Sequence, residues 1–187
     1  MKIINDYKIL GIIVFIAFSC KLYKKEFDNP VDYKANSDLG INAPALVFYP
    51  KTQTINVNET LIVESVIVFH EDSIQAFSGA HLRVHFPNQL IKLDTIVPGL
   101  FITDTSQSTP LFTYTFDGNN MIDIYTYFLS ESKYFIEGTG HIADIIFTAL
   151  EGGVDSLYYD LDFCEIINVY DDEISILGKR GAEVKID

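Results

Sequence analysis

From Ala45 onward, apolar residues occur in short runs rich in Val, Ile, Phe and Tyr, and Asn, Gly, Asp and Pro separate these runs. Runs of this length with turn residues at close intervals are typical of an all-β sandwich. No segment keeps a helical period for longer than a turn or two. The pattern therefore predicts an all-β domain over residues 44–187, built as an antiparallel β-sandwich.

One hairpin is predicted from its turn. The sequence DGNN, residues 117–120, lies between the strand-like segments LFTYTF and MIDIYTYF. Asp, Gly and Asn tolerate the positive φ angles that tight hairpin turns require, so the two segments should pair as antiparallel neighbours.

Alternate residues of a strand lie on opposite faces of its sheet, so each strand divides into an inward and an outward set. The inward sets are mainly apolar and comprise Ala80, Leu82, Val84 and Phe86; Ile122, Ile124, Thr126 and Phe128; and Ile145, Phe147 and Ala149. The outward sets are His81, Arg83 and His85; Asp123, Tyr125 and Tyr127; and Asp144, Ile146 and Thr148. The first outward set forms a basic stripe on an acidic chain.

The N-terminus predicts export. Ile9 to Ser19 are eleven residues without a charge, whereas a membrane span needs about 20 apolar residues. Lys2 and Lys8 precede this run, and a basic head before a short apolar run is typical of a secretory signal peptide.

The run ends in Ala-Phe-Ser-Cys, residues 17–20, which resembles the lipobox of bacterial lipoproteins, where cleavage precedes a lipid-modified cysteine. The resemblance implies a signal peptide over residues 1–19 and a lipid on Cys20. Several acyl chains make a stable anchor, because each buried CH₂ contributes about 0.8 kcal/mol. The alternative is an ordinary secretory signal, or a short anchor that keeps a free cysteine.

Residues 20–43 have few apolar residues and no period, which predicts a flexible tether between Cys20 and the domain. With Cys20 acylated, Cys164 has no disulfide partner and is expected to be a small buried hydrophobe. A reactive or metal-binding thiol is the alternative for Cys164.

The formal net charge is −13, with 13 Lys and Arg against 26 Asp and Glu. An acidic chain repels phosphate backbones and anionic lipid headgroups, which argues against nucleic acid as a partner. Attachment to a membrane would therefore depend on the lipid anchor alone.

The sequence favours a protein without catalytic residues, cofactor or metal site. It contains no Gly-x-Ser-x-Gly, His-Glu-x-x-His or phosphate-binding glycine loop. His81 and His85 lie four residues apart on a strand, about 13 Å, which is too far for one zinc ion. The acidic segments YDLDFCE and YDDE lack the order of a calcium loop, although an adventitious calcium ion there stays open.

Four segments in order resemble a cohesin domain over Ala45 to Ile176: INVNETLIVESVIV; FSGAHLRVHFPNQLIKLDTIVPGLF; NNMIDIYTYF; and GTGHIADIIFTALEGGVDSLYYDLDFCEIINVYDDEISI. The sequence departs from the cohesin pattern at one turn, where the Asp that usually precedes the proline is missing before Pro87. Cohesins are extracellular sandwiches of about nine strands with jelly-roll topology, and one of their sheet faces binds the calcium-loaded module dockerin. The resemblance implies the same fold here, and a partner-binding face formed by His81, Arg83, His85, Asp123, Tyr125, Tyr127, Asp144 and Ile146.

The expected function is therefore a non-enzymatic, lipid-anchored module that binds a dockerin-bearing protein, in a polysaccharide-degrading assembly of the bacterial cell envelope. Lys21 after the cysteine favours the outer membrane or cell surface over the inner membrane. A carbohydrate-binding module is the first alternative, with polysaccharide stacked on Tyr125 and Tyr127. A structural surface lipoprotein without a specific ligand is the second.

Replacement of Cys20 by alanine should abolish lipid attachment, because the Cys20 sulfur is the atom that would carry the diacylglyceryl group. After expression in a diderm bacterium, intact-mass spectrometry should find a cleaved, acylated wild-type chain and an unmodified Cys20→Ala chain. Cys164→Ala is the matched control and should stay acylated. An uncut, unmodified wild-type chain would contradict the prediction.

Overall fold

The computed structural model describes residues 29–70, 76–103, 110–129 and 134–187. The predicted signal peptide, Cys20 and the first part of the predicted tether lie outside the described residues. Within the described ranges, no helix is long and apolar enough to cross a membrane.

Most described residues belong to strands. In chain order these are β1 (Ala45–Tyr49), β2 (Thr52–Ile55), β3 (Thr60–Val68), β4 (Ala76–His85), β5 (Ile91–Pro98), β6 (Leu111–Phe116), β7 (Met121–Tyr127), β8 (Ile136–Glu137), β9 (Gly140–Ala149), β10 (Gly153–Tyr159), β11 (Glu165–Asn168), β12 (Gly178–Arg180) and β13 (Ala182–Ile186). The helical segments are α1 (Tyr33–Asp38), α2 (Leu100–Thr103) and a 3₁₀ turn at Leu161–Phe163.

The strands form two sheets, which confirms the predicted all-β sandwich. The five-stranded sheet has the order β12-β1-β3-β9-β5. The eight-stranded sheet has the order β2-β13-β10-β4-β7-β6, with β8 and β11 also paired to β4. One large apolar core contains buried residues from both sheets, among them Leu46, Phe48, Leu82 and Phe147. The two sheets therefore pack face to face through their inward side chains.

At each end of the domain, two consecutive strands lie in different sheets. These are β1 and β2 at the start, and β12 and β13 at the end. Strand β1 pairs with β12 in the five-stranded sheet, and β2 pairs with β13 in the eight-stranded sheet. Both pairings are parallel, whereas every other pairing between the described strands is antiparallel, so the predicted antiparallel sandwich holds except at the termini. Gly181 lies at the crossing of the last strand, where a Cβ atom would lie 2.6 Å from the Leu157 carbonyl oxygen. The division of both terminal segments adds two strands, and the short strands β8 and β11 beside β4 add two more, so thirteen strands occur in the described ranges where about nine are predicted.

The predicted hairpin is also present. Strands β6 and β7 pair in antiparallel register from Leu111–Tyr127 to Phe116–Ile122. Gly118 has a φ of +80°, and the Asp117 carboxylate accepts hydrogen bonds from the backbone N–H groups of Asn119 and Met121. The turn residues therefore act as predicted.

One buried side chain links the two sheets by hydrogen bonds. Tyr159 in β10 is fully buried, and its hydroxyl lies 2.9 Å from Ser65 Oγ of β3. The same hydroxyl lies 3.3 Å from the carbonyl oxygen of Val47 in β1, and the ring stacks on Phe48 at 4.0 Å. Burial raises the pKa of Tyr159 well above its usual range, so this hydroxyl stays protonated as a donor.

The folded part starts before residue 44, earlier than predicted. The Asp32 side chain caps α1 by accepting from the Ala35 N–H, and Asn36 is buried. Tyr33 and Ile41 pack on the outer surface of β1 and β3, with Ala45, Val47, Val66 and Val68. Six helical residues whose buried member is an asparagine give no apolar period, which explains why this segment resembled a tether.

Removing the Tyr159 hydroxyl should destabilise the sandwich. Tyr159→Phe leaves Ser65 Oγ and the Val47 carbonyl without this partner, and an unsatisfied buried group costs about 1–3 kcal/mol. The free energy of unfolding can be measured by urea denaturation. In a double-mutant cycle with Ser65→Ala, the two effects should be less than additive, because both variants remove the same hydrogen bond. Additive losses would show that the hydrogen bond contributes nothing.

Candidate functional site

The outward residues of β4 and β7 meet on the outer surface of the eight-stranded sheet. Strand register places His81 opposite Tyr125, Arg83 opposite Asp123, and Gly79 opposite Tyr127. We call this surface the β4–β7 face; it is formed by His81, Arg83, His85, Asp123, Tyr125 and Tyr127. Because Ala80, Leu82 and Val84 are fully buried between these positions, the core fixes the orientation of the face.

Asp123 is the polar centre of the β4–β7 face and only 7% of its surface is exposed. Arg83 binds its carboxylate with two hydrogen bonds, from Nε at 2.8 Å and from Nη2 at 3.1 Å. His81 Nε2 donates a third at 2.7 Å. A carboxylate that receives three charge-assisted or polar donors is held in one position, so the three side chains form one rigid group.

The hydrogen bonds between these side chains shift the pKa values of Asp123 and Arg83. Burial alone would raise the pKa of Asp123, but the hydrogen bonds from Arg83 and His81 outweigh burial and lower it below its usual value. The hydrogen bond with Asp123 raises the pKa of Arg83. Both groups are therefore charged at neutral pH, and they neutralise each other at the centre of the face.

Aromatic rings cover the rest of the β4–β7 face. The His81 and Tyr125 rings stack at 4.5 Å with 9° between their planes. The Arg83 guanidinium lies 4.2 Å from the centre of the Phe163 ring, which is a cation–π geometry. The Tyr127 ring lies over Gly79, where a Cβ atom would overlap it, so glycine is required for this ring to lie against the strand.

At the end of β4, His85 contacts Tyr158 of β10 and Asp160, which directly follows that strand. Its ring stacks on Tyr158 at 5.0 Å with 13° between the planes, and its Nε2 lies 3.5 Å from the Asp160 carboxylate. Tyr158 lies directly opposite His85 in the pairing of the two strands. The face therefore extends from β7 across β4 to β10.

Two residues predicted for the partner-binding face lie on the other sheet, so the prediction that all eight residues share one face is wrong. Asp144 and Ile146 belong to β9, which pairs with β3 and β5 in the five-stranded sheet. Asp144 contacts His141 at 2.9 Å, and Ile146 lies opposite Ile62. Alternation predicted that both side chains face outward, and they do. Because β9 belongs to the five-stranded sheet, however, they face away from the core on the side of the sandwich opposite to the β4–β7 face.

The sequence reasoning missed three residues that border the face: Tyr158, Phe163 and Glu165. Tyr158 is 48% exposed and lies between the buried residues Leu157 and Tyr159, so alternation along β10 could have found it. Glu165 lies opposite His81 in the β11–β4 pairing. Phe163 belongs to a 3₁₀ turn, in which a two-residue period no longer applies, so no sequence signal indicated its position.

Cys164 lies beneath the face as a buried thiol. Its sulfur accepts a hydrogen bond from the Arg83 backbone N–H at 3.3 Å. Burial raises the pKa of the Cys164 thiol to about 11, which keeps it protonated and unreactive at neutral pH. The prediction of a small buried hydrophobe agrees with this environment. In the described ranges, no group of three or more His, Cys, Asp or Glu is placed to hold a metal ion.

Replacing Asp123 by asparagine should destabilise the protein at neutral pH, by about 1.5–3 kcal/mol, since hydrogen bonds to a charged group are lost. The folded-state pKa of Asp123 is lowered, so its contribution is present above the unfolded pKa of about 3.9 and is lost as pH falls through the folded pKa. The stability difference between wild type and Asp123→Asn should therefore shrink below about pH 4. Urea denaturation at pH 7 and pH 3 measures both differences.

Asp155→Asn is the matched control for this experiment, because Asp155 is exposed and, among the described residues, its carboxylate accepts a hydrogen bond only from the backbone N–H of its neighbour Ser156. Its effect should stay within about 0.5 kcal/mol at pH 7. A difference for Asp123→Asn that is equal at both pH values would contradict the role assigned to its ionised form.

The described fold is similar to solved cohesin structures. A cohesin of ScaC from Acetivibrio cellulolyticus, solved with the ScaB dockerin, is 14% identical, with a TM-score of 0.61 over 76% of this chain and 97% of that chain. A chain of the Coh-OlpA–Doc918 cohesin–dockerin complex from Clostridium thermocellum is 13% identical, with a TM-score of 0.60 over 76% of this chain and 98% of that chain. A non-cellulosomal cohesin from the archaeon Archaeoglobus fulgidus is 13% identical, with a TM-score of 0.59 over 76% of this chain and 90% of that chain.

No protein-family model matches the chain, and no curated protein sequence matches it. At these identities, the likeness to solved structures concerns the fold. Together with the two-sheet topology, it shows that the chain contains a cohesin-like β-sandwich domain.

Proposed function

We propose that this protein is a non-enzymatic binding module that recognises a dockerin-type protein partner through the β4–β7 face. The observation that carries the proposal is the rigid group of Arg83, His81 and Asp123, flanked by tyrosines on an open sheet surface. Dockerin complexes among the similar solved structures support the class of partner.

The chemistry of the β4–β7 face suits a protein partner. Interface centres are enriched in Tyr and Arg, and energetically dominant residues cluster in rigid, well-packed positions. Here Tyr125 is stacked on His81, and Arg83 is held by both Asp123 and Phe163. Side chains that are already ordered lose little conformational entropy on binding, so more of the contact energy appears as affinity.

The charge distribution of the face favours recognition by shape and hydrogen bonds over long-range attraction. Asp123 neutralises Arg83, so the centre of the face carries little net charge on a chain whose formal charge is −13. A partner that covers this pair must satisfy the remaining guanidinium N–H groups, which fixes its orientation.

The setting of this module is part of the same proposal. A lipid on Cys20 would hold the domain outside the cytoplasm, at the outer membrane or the cell surface of a bacterium. The partner would then be a secreted protein, such as a component of a polysaccharide-degrading assembly. The lipobox-like sequence before Cys20 supports this location.

A pull-down from extracellular proteins of the source organism, with and without calcium, tests the proposed function. The wild-type domain should recover a calcium-dependent partner. Tyr125→Ala should weaken that partner by about tenfold or more, since it removes a rigid ring from the centre of the face. Ile146→Ala is the matched control, because it removes an outward side chain from the other sheet and should leave binding unchanged.

Two results would contradict this function. Recovery of no protein, with or without calcium, would remove the evidence for a dockerin-type partner. Retention on insoluble polysaccharide that Tyr125→Ala and Tyr127→Ala abolish would instead favour the carbohydrate-binding alternative, in which the two tyrosines of β7 stack on sugar rings.

A further inference from the structure

A cleft of about 430 Å³ opens at the end of the sandwich, beside but separate from the centre of the β4–β7 face. The turn after β4, the turn before β7 and one side of β10 form its walls. Its lining includes His85, Asn88, Gln89, Asn120, Ser156 and Tyr158, together with Asp155 and the apolar residues Phe86, Pro87 and Leu90. The volume falls within the range of about 300–1,000 Å³ that is usual for small-molecule sites.

The polar groups of this cleft include both donors and acceptors. In the described ranges, three of these side chains have no hydrogen-bond partner in the protein: the amides of Gln89 and Asn120 and the hydroxyl of Ser156. The Asn88 amide, in contrast, donates to the Asn119 side-chain oxygen at 2.7 Å. An amide offers both N–H groups and a carbonyl oxygen, and a hydroxyl donates and accepts as well. Such groups match a ligand whose own hydroxyls also donate and accept.

An aromatic ring stands at the edge of the same cleft. Tyr158 is 48% exposed, while the stack with His85 at 5.0 Å supports its ring. The pairing of Tyr158 with His85 in β10 and β4 fixes the backbone beneath both rings. Tyr158 therefore presents a supported, partly exposed apolar surface next to the amides.

The charges around the cleft exclude two other ligand classes. Neither Lys nor Arg lines it, so a phosphate or sulfate group would find no permanently charged cationic partner. Asp155 is its one lining carboxylate, which is too few oxygen ligands of the kind that hold calcium or magnesium. The remaining match is a neutral, polyhydroxylated ligand with an apolar ring face.

We infer that this cleft is a binding site for a neutral saccharide, in which Tyr158 stacks on a sugar ring and Gln89, Asn120 and Ser156 bind its hydroxyls. The cleft shares His85 with the β4–β7 face, but the inference does not depend on the proposed protein partner, because neither Arg83 nor Asp123 at the centre of that face lines the cleft. It gives the module a second specificity, directed at neutral glycans near its site of attachment.

Saturation-transfer difference NMR on the full chain, in a detergent without a sugar headgroup, tests the inference. The probes are cellobiose, xylobiose, maltose and chitobiose, with glucose 6-phosphate as the charged comparison. At least one neutral disaccharide should receive saturation from the protein. Tyr158→Ala and Asn120→Ala should each weaken its binding by about tenfold, and Tyr158→Phe should retain it because the ring is kept.

Tyr125→Ala is the matched control, since it removes a tyrosine from the β4–β7 face and leaves the cleft intact. It should bind the disaccharide as the wild type does, and urea unfolding of every variant should show that it is folded. Absence of a signal from all four neutral disaccharides would overturn the inference. Loss of the signal in Tyr125→Ala, or stronger binding of glucose 6-phosphate, would overturn it as well.

Discussion

The structure depends on the two-residue period of strand β4. Its inward residues Ala80, Leu82 and Val84 are fully buried in the core, and its outward residues form the middle of the candidate site. Strand β4 pairs with β7 and β8 and with β10 and β11, so four strands hold its register. A slip by one residue would move three apolar side chains to the surface and His81, Arg83 and His85 into the core. The apolar core therefore determines which side chains are available for binding.

The burial of Asp123 is the main polar cost of this arrangement, and the structure offsets it locally. Removing an ionised carboxylate from water is expensive unless other groups solvate it, and here Arg83 and His81 supply three hydrogen bonds. Between the sheets, the buried Tyr159 hydroxyl is also satisfied by hydrogen bonds, with Ser65 Oγ and the Val47 carbonyl oxygen. The first network connects the neighbouring strands β4 and β7, and the second connects the two facing sheets, so both restrict sliding as well as satisfying buried polar groups.

Alternation predicted which residues face outward but could not predict which sheet a strand belongs to. His81 and Tyr125 are brought together as expected because β4 and β7 are neighbours. Asp144 and Ile146 are equally outward, but β9 lies in the other sheet, and sheet membership depends on long-range pairing that no local pattern reports. Phe163 reaches Arg83 from a 3₁₀ turn, and Asn36 is buried within a six-residue helix. Such positions depend on tertiary packing, so the residues around them carry no periodic signal.

The same division between inward and outward residues explains how this fold tolerates very different sequences. The ScaC cohesin shares the fold at 14% identity, with a TM-score of 0.61. A core requires apolar side chains of suitable total volume, not particular residues, so inward positions can change in concert while the sheets stay in place. Outward positions such as Tyr125 and Tyr158 contribute little to that volume, so the core does not constrain which residue stands there. Arg83 and Asp123 are the exception on this face, because Asp123 is buried against the partly exposed Arg83 and neither can change alone without leaving a charge without this partner.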